Sequence, residues 1–83
     1  MKFTETCKGV WESDKQAYYA VAFNSKREPV GEKTAKYEIR EGDKKGTTVY
    51  RLYETGLAKH HFIKSFKDLD KAIKFANKWD MEK

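Results

Sequence analysis

The clearest periodic pattern of apolar positions lies in the last quarter of the chain, from Ser65 to Trp79. Apolar residues recur there every three or four positions, which predicts an amphipathic helix with one buried stripe. A serine at 65 followed by an acid at 68 is typical of a helix N-cap, so we expect Ser65 to cap this helix. The predicted buried stripe consists of Phe66, Leu69, Ala72, Ile73, Ala76 and Trp79, with Trp79 substantially buried against a sheet.

The opposite side of the predicted helix is basic. A row of lysines could follow a phosphate backbone. More often such a row is a solvated helix face, on which the neighbouring Asp68 and Asp70 pair with lysines. Four lysines lie within about 60° of one another when the helix turns by about 100° per residue, namely Lys67, Lys71, Lys74 and Lys78.

Upstream of the helix, apolar and polar positions alternate, which is typical of half-buried strands. The pattern predicts strands over Phe3–Trp11 and Ala17–Phe23, and we expect them to form a hairpin. The stretch 24–34 contains the only proline and a glycine, so it is predicted to be a mobile loop. Three further strands joined by tight turns are predicted over Lys36–Arg40, Thr47–Glu54 and Leu57–Ile63.

This order of elements predicts an α+β fold. Strands joined by short turns pair as antiparallel neighbours, and a single amphipathic helix can cover one face of the sheet they form. We therefore expect an antiparallel sheet of about five strands, a hairpin plus a three-strand meander, with the C-terminal helix on one face. A length of 83 residues is that of a single domain, which we expect to span residues 1–83.

The sheet face opposite the helix is predicted to combine aromatic and basic side chains. Pairing Tyr37 with Tyr50 across the turn 41–46 directs Ile39 and Leu52 towards the helix. Rings that stack on bases and cations that meet phosphates are typical of single-stranded nucleic-acid binding. Cross-strand aromatic pairs that only stabilise the sheet, or a protein-binding surface, would give the same pattern. The predicted opposite face consists of Tyr18, Lys36, Glu38, Arg40, Val49, Arg51, Tyr53, His60 and Phe62.

Charge and cysteine content narrow the partners and the location. The net charge is +5, which favours anionic partners without choosing among them. The pair Lys44 and Lys45 at a turn tip is a further candidate for phosphate binding. The single cysteine, Cys7, allows no internal disulfide, and the first residues lack the apolar run of a signal peptide, so a cytoplasmic location is expected. No stretch approaches the roughly 18 apolar residues of a membrane helix, so no membrane association is predicted.

No motif of known chemistry is present, so we expect no catalytic site, no metal and no cofactor. His60 and His61 are adjacent in a strand and point to opposite faces, which disfavours a shared metal ion. Cys7 has no partner signature and is expected to be a half-buried, inert thiol. The predicted function is a non-enzymatic binding domain for nucleic acid, acting through the sheet face or the basic turns. The alternative is a protein-binding regulator or inhibitor that uses the same surface, and the oligomeric state is left open.

Overall fold

Two antiparallel sheets and a C-terminal helix make up the fold in this computed structural model, which describes residues 1–56 and 59–82. The side chains of residues 18–23, 29, 30, 32 and 59 are not described. The elements are β1 (Phe3–Cys7), β2 (Val10–Ser13), β3 (Gln16–Phe23), β4 (Pro29–Ala35), β5 (Tyr37–Lys44), β6 (Thr47–Gly56), β7 (Lys59–Phe66) and α1 (Leu69–Met81).

The larger sheet has five strands in the order β1-β2-β5-β6-β7, and α1 packs on one of its faces. This arrangement confirms the predicted α+β class with a five-stranded antiparallel sheet. Tyr37, Ile39 and Leu52 from the two central strands are fully buried against Ala72 and Ala76 of the helix. The core is completed by partly buried apolar side chains that pack against this cluster, namely Met1, Phe3, Trp11, Tyr50, Ile63, Phe66, Leu69, Ile73, Phe75 and Trp79.

The strand predicted over Phe3–Trp11 is itself a hairpin. A turn at Lys8 and Gly9 separates β1 from β2, and Gly9 has a φ of 79°, a conformation that costs glycine little. Trp11 then lies between Glu5 of β1 and Ile39 of β5. The predicted pairing of this segment with Ala17–Phe23 is therefore wrong, because β1 pairs with β2 and the other edge of β2 pairs with β5.

The second sheet is a two-stranded arm formed by β3 and β4. Strand β4 begins at Pro29, where the missing N–H is tolerated at the first residue of a strand, so the loop predicted over 24–34 is shorter than expected. Its tip is organised by Asn24, whose side-chain oxygen accepts from the backbone N–H groups of Lys26 and Glu28 at 2.9 and 3.0 Å. The strand predicted over Ala17–Phe23, which was expected in the main sheet, is β3 of this arm.

The register of the central pair differs from the prediction, yet the faces are the same. Tyr37 lies opposite Glu54 instead of Tyr50, because β5 and β6 extend to a two-residue turn at Lys45 and Gly46 with φ of 52° and 81°. The error is four residues. Because side chains alternate with a period of two, an even displacement leaves each side chain on its predicted face.

Asp68, not Ser65, caps the helix. Asp68 is extended, and its side chain accepts from the N–H of Asp70 at 2.8 Å. Ser65 remains in β7 opposite Arg51, so its predicted role as the cap is wrong. Trp79 is partly buried, with its ring 6.0 Å from that of Phe75, an apolar residue outside the predicted stripe.

The C-terminal end of α1 is fixed to the sheet by Asp80. Its carboxylate accepts from the Tyr37 hydroxyl at 3.1 Å, from Lys15 Nζ at 2.8 Å and from Lys36 Nζ at 3.4 Å. The hydrogen bond from Lys15, more than any other contact, lowers the pKa of Asp80, while burial and the nearby carboxylate raise the pKa of Tyr37. In the described part of the chain, no helix has the length and apolar character needed to cross a membrane.

Candidate binding site on the open sheet face

The face of the five-stranded sheet opposite α1, here called the open face, collects its side chains from the central strands and β7. Residues directly opposite each other in antiparallel strands point to the same side. Tyr53 lies between Glu38 on β5 and Phe62 on β7, and Arg51 lies opposite Arg40. The predicted grouping of Arg40, Arg51, Tyr53 and Phe62 on one face is therefore what the register gives.

Three rings at the β6–β7 end of this face, Tyr53, His60 and Phe62, form an aromatic strip. The Tyr53 and His60 rings stack with centroids 4.7 Å apart and an interplanar angle of 9°. The Phe62 ring is tilted by 59° to Tyr53 at 5.7 Å. His60 covers one side of the Tyr53 ring, whereas Phe62 is 48% exposed. Phe62 and His60, more than Tyr53, are thus the rings that a ligand can reach.

Glu38 holds two of the basic groups on this face. The Arg40 guanidinium donates to its carboxylate at 2.5 and 3.5 Å, and His60 Nε2 lies 3.6 Å from the same carboxylate. The side chain of Glu38 is only 16% exposed, and its hydrogen bond raises the pKa of Arg40. The positive charge of Arg40 is therefore largely balanced within the face.

Arg51 differs from Arg40 in that it has no acidic partner among the ion pairs of residues 1–56 and 59–82. Its guanidinium lies across Gly42 on β5, where a Cβ would collide with Nη1. A side chain at position 42 would displace the guanidinium from the sheet surface. Gly42 therefore provides the space in which Arg51 extends over the open face.

The other predicted site residues do not join this face. Lys36 turns towards the helix side, where Nζ lies 3.4 Å from Asp80. Tyr18 belongs to β3 of the arm, and its side chain is outside the described part. The predicted phosphate-binding lysines at the turn and on the helix lie elsewhere: Lys44 and Lys45 at the β5–β6 tip, Lys67 between β7 and α1, and Lys71, Lys74 and Lys78 on the outer side of α1.

The sequence placed Phe62 and Glu38 on the predicted face without giving either a role in binding, and it gave no role to Gly42. Strand alternation put Phe62 and Glu38 on the correct face, but only the tertiary structure shows that Phe62 is the exposed ring and that Glu38 forms an ion pair with Arg40. The signal available for Gly42 was weak, because a glycine beside an acidic turn is typical of the turn itself.

The remaining reactive side chains are dispersed. His60 faces the aromatic strip and His61 lies opposite Glu54 on the other side. Cys7 is exposed at the edge strand β1, contrary to the expected half-buried thiol. Within the residues that the structure describes, no three His, Cys, Asp or Glu side chains are grouped so that they could hold a metal ion.

Comparison with protein-family models, with curated proteins and with solved structures found no match to this chain. Its function is therefore inferred from the geometry and charge of its surfaces.

Proposed function

We propose that this domain binds single-stranded nucleic acid on the open face and catalyses no reaction. The proposal is supported above all by the exposed Phe62 ring, which lies in the aromatic strip. The same face carries Arg51, which forms no ion pair within the described part of the chain. Proteins that bind single strands without sequence preference use aromatic side chains to stack on bases and neighbouring cations to contact phosphates.

Each side chain has a distinct role in this proposal. Phe62 and His60 stack on bases, and Tyr53 supports them because its own ring is already covered on one side by His60. Arg51 neutralises a phosphate, because its guanidinium lies over the face in the space that Gly42 leaves free. The overall charge of +5 favours the encounter with a polyanion. A cytoplasmic location belongs to the same proposal, because the one cysteine can form no internal disulfide.

The second candidate is a protein-binding regulator or inhibitor that uses the same open face. The contact between Arg40 and Glu38 favours it, because a carboxylate on the face repels phosphates and lowers the local positive charge. An exposed phenylalanine with a balanced ion pair beside it resembles the apolar centre and polar rim of a protein interface.

Fluorescence anisotropy with a labelled 20-nucleotide single strand, measured at several salt concentrations, tests the first candidate. Phe62→Ala should weaken binding by about 1–3 kcal/mol without changing the salt slope, because stacking releases no counterions. Met81→Ala is the matched control, since Met81 is 85% exposed at the end of α1, and it should leave binding unchanged. Arg51→Gln should reduce the slope by about 0.7, the contribution of one phosphate on a single strand. The matched control is Lys26→Gln, which removes one exposed charge from the tip of the β3–β4 arm and should leave the slope unchanged.

Glu38→Gln separates the two candidates. For nucleic acid it should strengthen binding and steepen the salt slope, because Arg40 is then available to a phosphate. For a protein partner it should weaken capture, and the effects of Phe62→Ala and Arg51→Gln should depend little on salt. Binding of the wild-type chain weaker than about 100 μM at low salt would refute the nucleic-acid proposal.

A further inference from the structure

The outer surface of α1 displays a row of lysines that takes no part in the open face. This lysine ridge consists of Lys71, Lys74 and Lys78, all of which are exposed. Ala72 and Ala76, on the other side of the helix, are fully buried against the sheet. Because the helix lies between the ridge and the sheet, the lysine ridge and the open face are on opposite surfaces of the domain.

The charge of the ridge is not neutralised by neighbouring acids. Asp70 and Glu82 lie four residues from Lys74 and Lys78, a spacing that permits ion pairs on a helix. Among the ion pairs formed by residues 1–56 and 59–82, however, none includes a lysine of the ridge. Asp80 in the last turn faces the sheet, where its carboxylate is occupied by Lys15 and Tyr37.

The spacing of the ridge suits a phosphate backbone. At about 1.5 Å of rise per residue, Lys71 and Lys78 are separated by about 10.5 Å along the helix axis, with Lys74 between them. One strand of a duplex has a phosphate about every 3.4 Å along its axis, so the ridge spans about three phosphate spacings. Flexible lysine side chains need no base contacts to reach them, so a duplex fits as well as a single strand.

A membrane surface fits the ridge less well. Helices that lie on membranes insert an apolar face beside their basic residues. In α1 the apolar side is buried against the sheet, where Ala72 and Ala76 are 0% exposed. Met81 is exposed, but it lies at the last residue of the helix and offers no continuous apolar strip.

We propose that the lysine ridge is a second nucleic-acid site, which binds the phosphodiester backbone without distinguishing duplex from single strand. A domain with sites on opposite surfaces holds two segments at once, so it bridges them. The bridging rests on the proposed function of the open face, whereas backbone binding by the ridge does not.

The ridge is tested by anisotropy with a labelled 20-base-pair duplex, whose stacked bases are not available to the aromatic strip. Lys71→Gln, Lys74→Gln and Lys78→Gln combined should reduce the salt slope by about 2.7, because each lost phosphate contact contributes about 0.9. The control combines Lys2→Gln, Lys8→Gln and Lys26→Gln, which removes the same charge from exposed positions away from the helix and should change the slope by less than about 1. Equal effects of the two triple variants, or no effect of the first, would overturn the proposal. Should the first triple variant fail to fold by circular dichroism, each single substitution should lower the slope by about 0.9.

Bridging is measured by energy transfer between two single strands labelled with a donor and an acceptor. As wild-type protein is added, energy transfer should rise to a maximum and then fall once the protein is in excess over the strands. With the ridge variant or with Phe62→Ala, no rise in energy transfer should occur. The ridge variant could reduce the salt slope of duplex binding while Phe62→Ala has no effect on single-strand binding. That result would support the ridge site and refute the site on the open face. Binding to vesicles of anionic phosphatidylserine with no binding to the duplex would overturn the ridge as a nucleic-acid site.

Discussion

The hydrogen bond between Asp80 and Tyr37 attaches α1 to the sheet, and its contribution to stability can be predicted quantitatively. The Tyr37 hydroxyl belongs to a residue that is 0% exposed, and it donates to a carboxylate whose side chain is 15% exposed. Asp80→Ala removes the acceptor and leaves this hydroxyl buried without its partner, which costs about 1–3 kcal/mol. Loss of the partly exposed ion pairs with Lys15 and Lys36 adds up to about 1 kcal/mol. We expect a total loss in the free energy of unfolding of about 1–4 kcal/mol.

A double-mutant cycle isolates the hydroxyl from the ion pairs. Tyr37→Phe alone should cost about 0.5–1.5 kcal/mol, the net value of one hydrogen bond. In the Tyr37→Phe background no hydroxyl is left to desolvate, so Asp80→Ala should cost only about 0.5–1 kcal/mol there. The coupling between the two positions is then the cost of the hydroxyl left without its acceptor, about 1–3 kcal/mol.

Urea denaturation followed by circular dichroism measures all four chains of the cycle. Unchanged m-values would show that each difference is one of stability and not of the denatured state. Additivity within about 0.5 kcal/mol would refute the reasoning, because it would mean that the Tyr37 hydroxyl does not depend on Asp80. A loss below about 0.5 kcal/mol for Asp80→Ala in the wild-type background would mean that the last turn of α1 contributes nothing to the attachment.

Two further predictions concern the same helix. The pKa of Asp80 is lowered in the folded state, mainly by the hydrogen bond from Lys15, so its contribution is complete above the unfolded-state value of about 3.9 and is lost as the pH falls below it. The difference in unfolding free energy between wild type and Asp80→Asn should accordingly shrink below about pH 4, and an unchanged difference would contradict the assignment. Asp68→Ala should cost about 1 kcal/mol through loss of the cap, whereas Ser65→Ala should cost less than about 0.5 kcal/mol, and thermal melts giving the reverse order would place the helix start back at Ser65.

Local patterns in the sequence were sufficient to predict the class of the fold. They also predicted which side chains lie on each side of the helix and of the central strands. The period of the apolar residues from Leu69 to Trp79 predicted the helix and placed Ala72 and Ala76 against the sheet, and both are fully buried. Alternation over β5 and β6 placed Ile39 and Leu52 on one side and Arg51 and Tyr53 on the other. Such patterns depend only on the geometry of a single element, so they survive an error of four residues in the pairing.

Partners that are distant in sequence were decided by the tertiary structure. The pattern from Phe3 to Trp11 is compatible with one strand or two, and only the packing of Trp11 beside Ile39 selects the hairpin. The helix is likewise capped by Asp68 and not by Ser65, because Ser65 belongs to β7 and is paired with Arg51. The balance of charge on the open face has the same origin. Whether Arg40 is available to a ligand depends on where Glu38 lies, and a sequence alone does not say which of several nearby acids an arginine will contact.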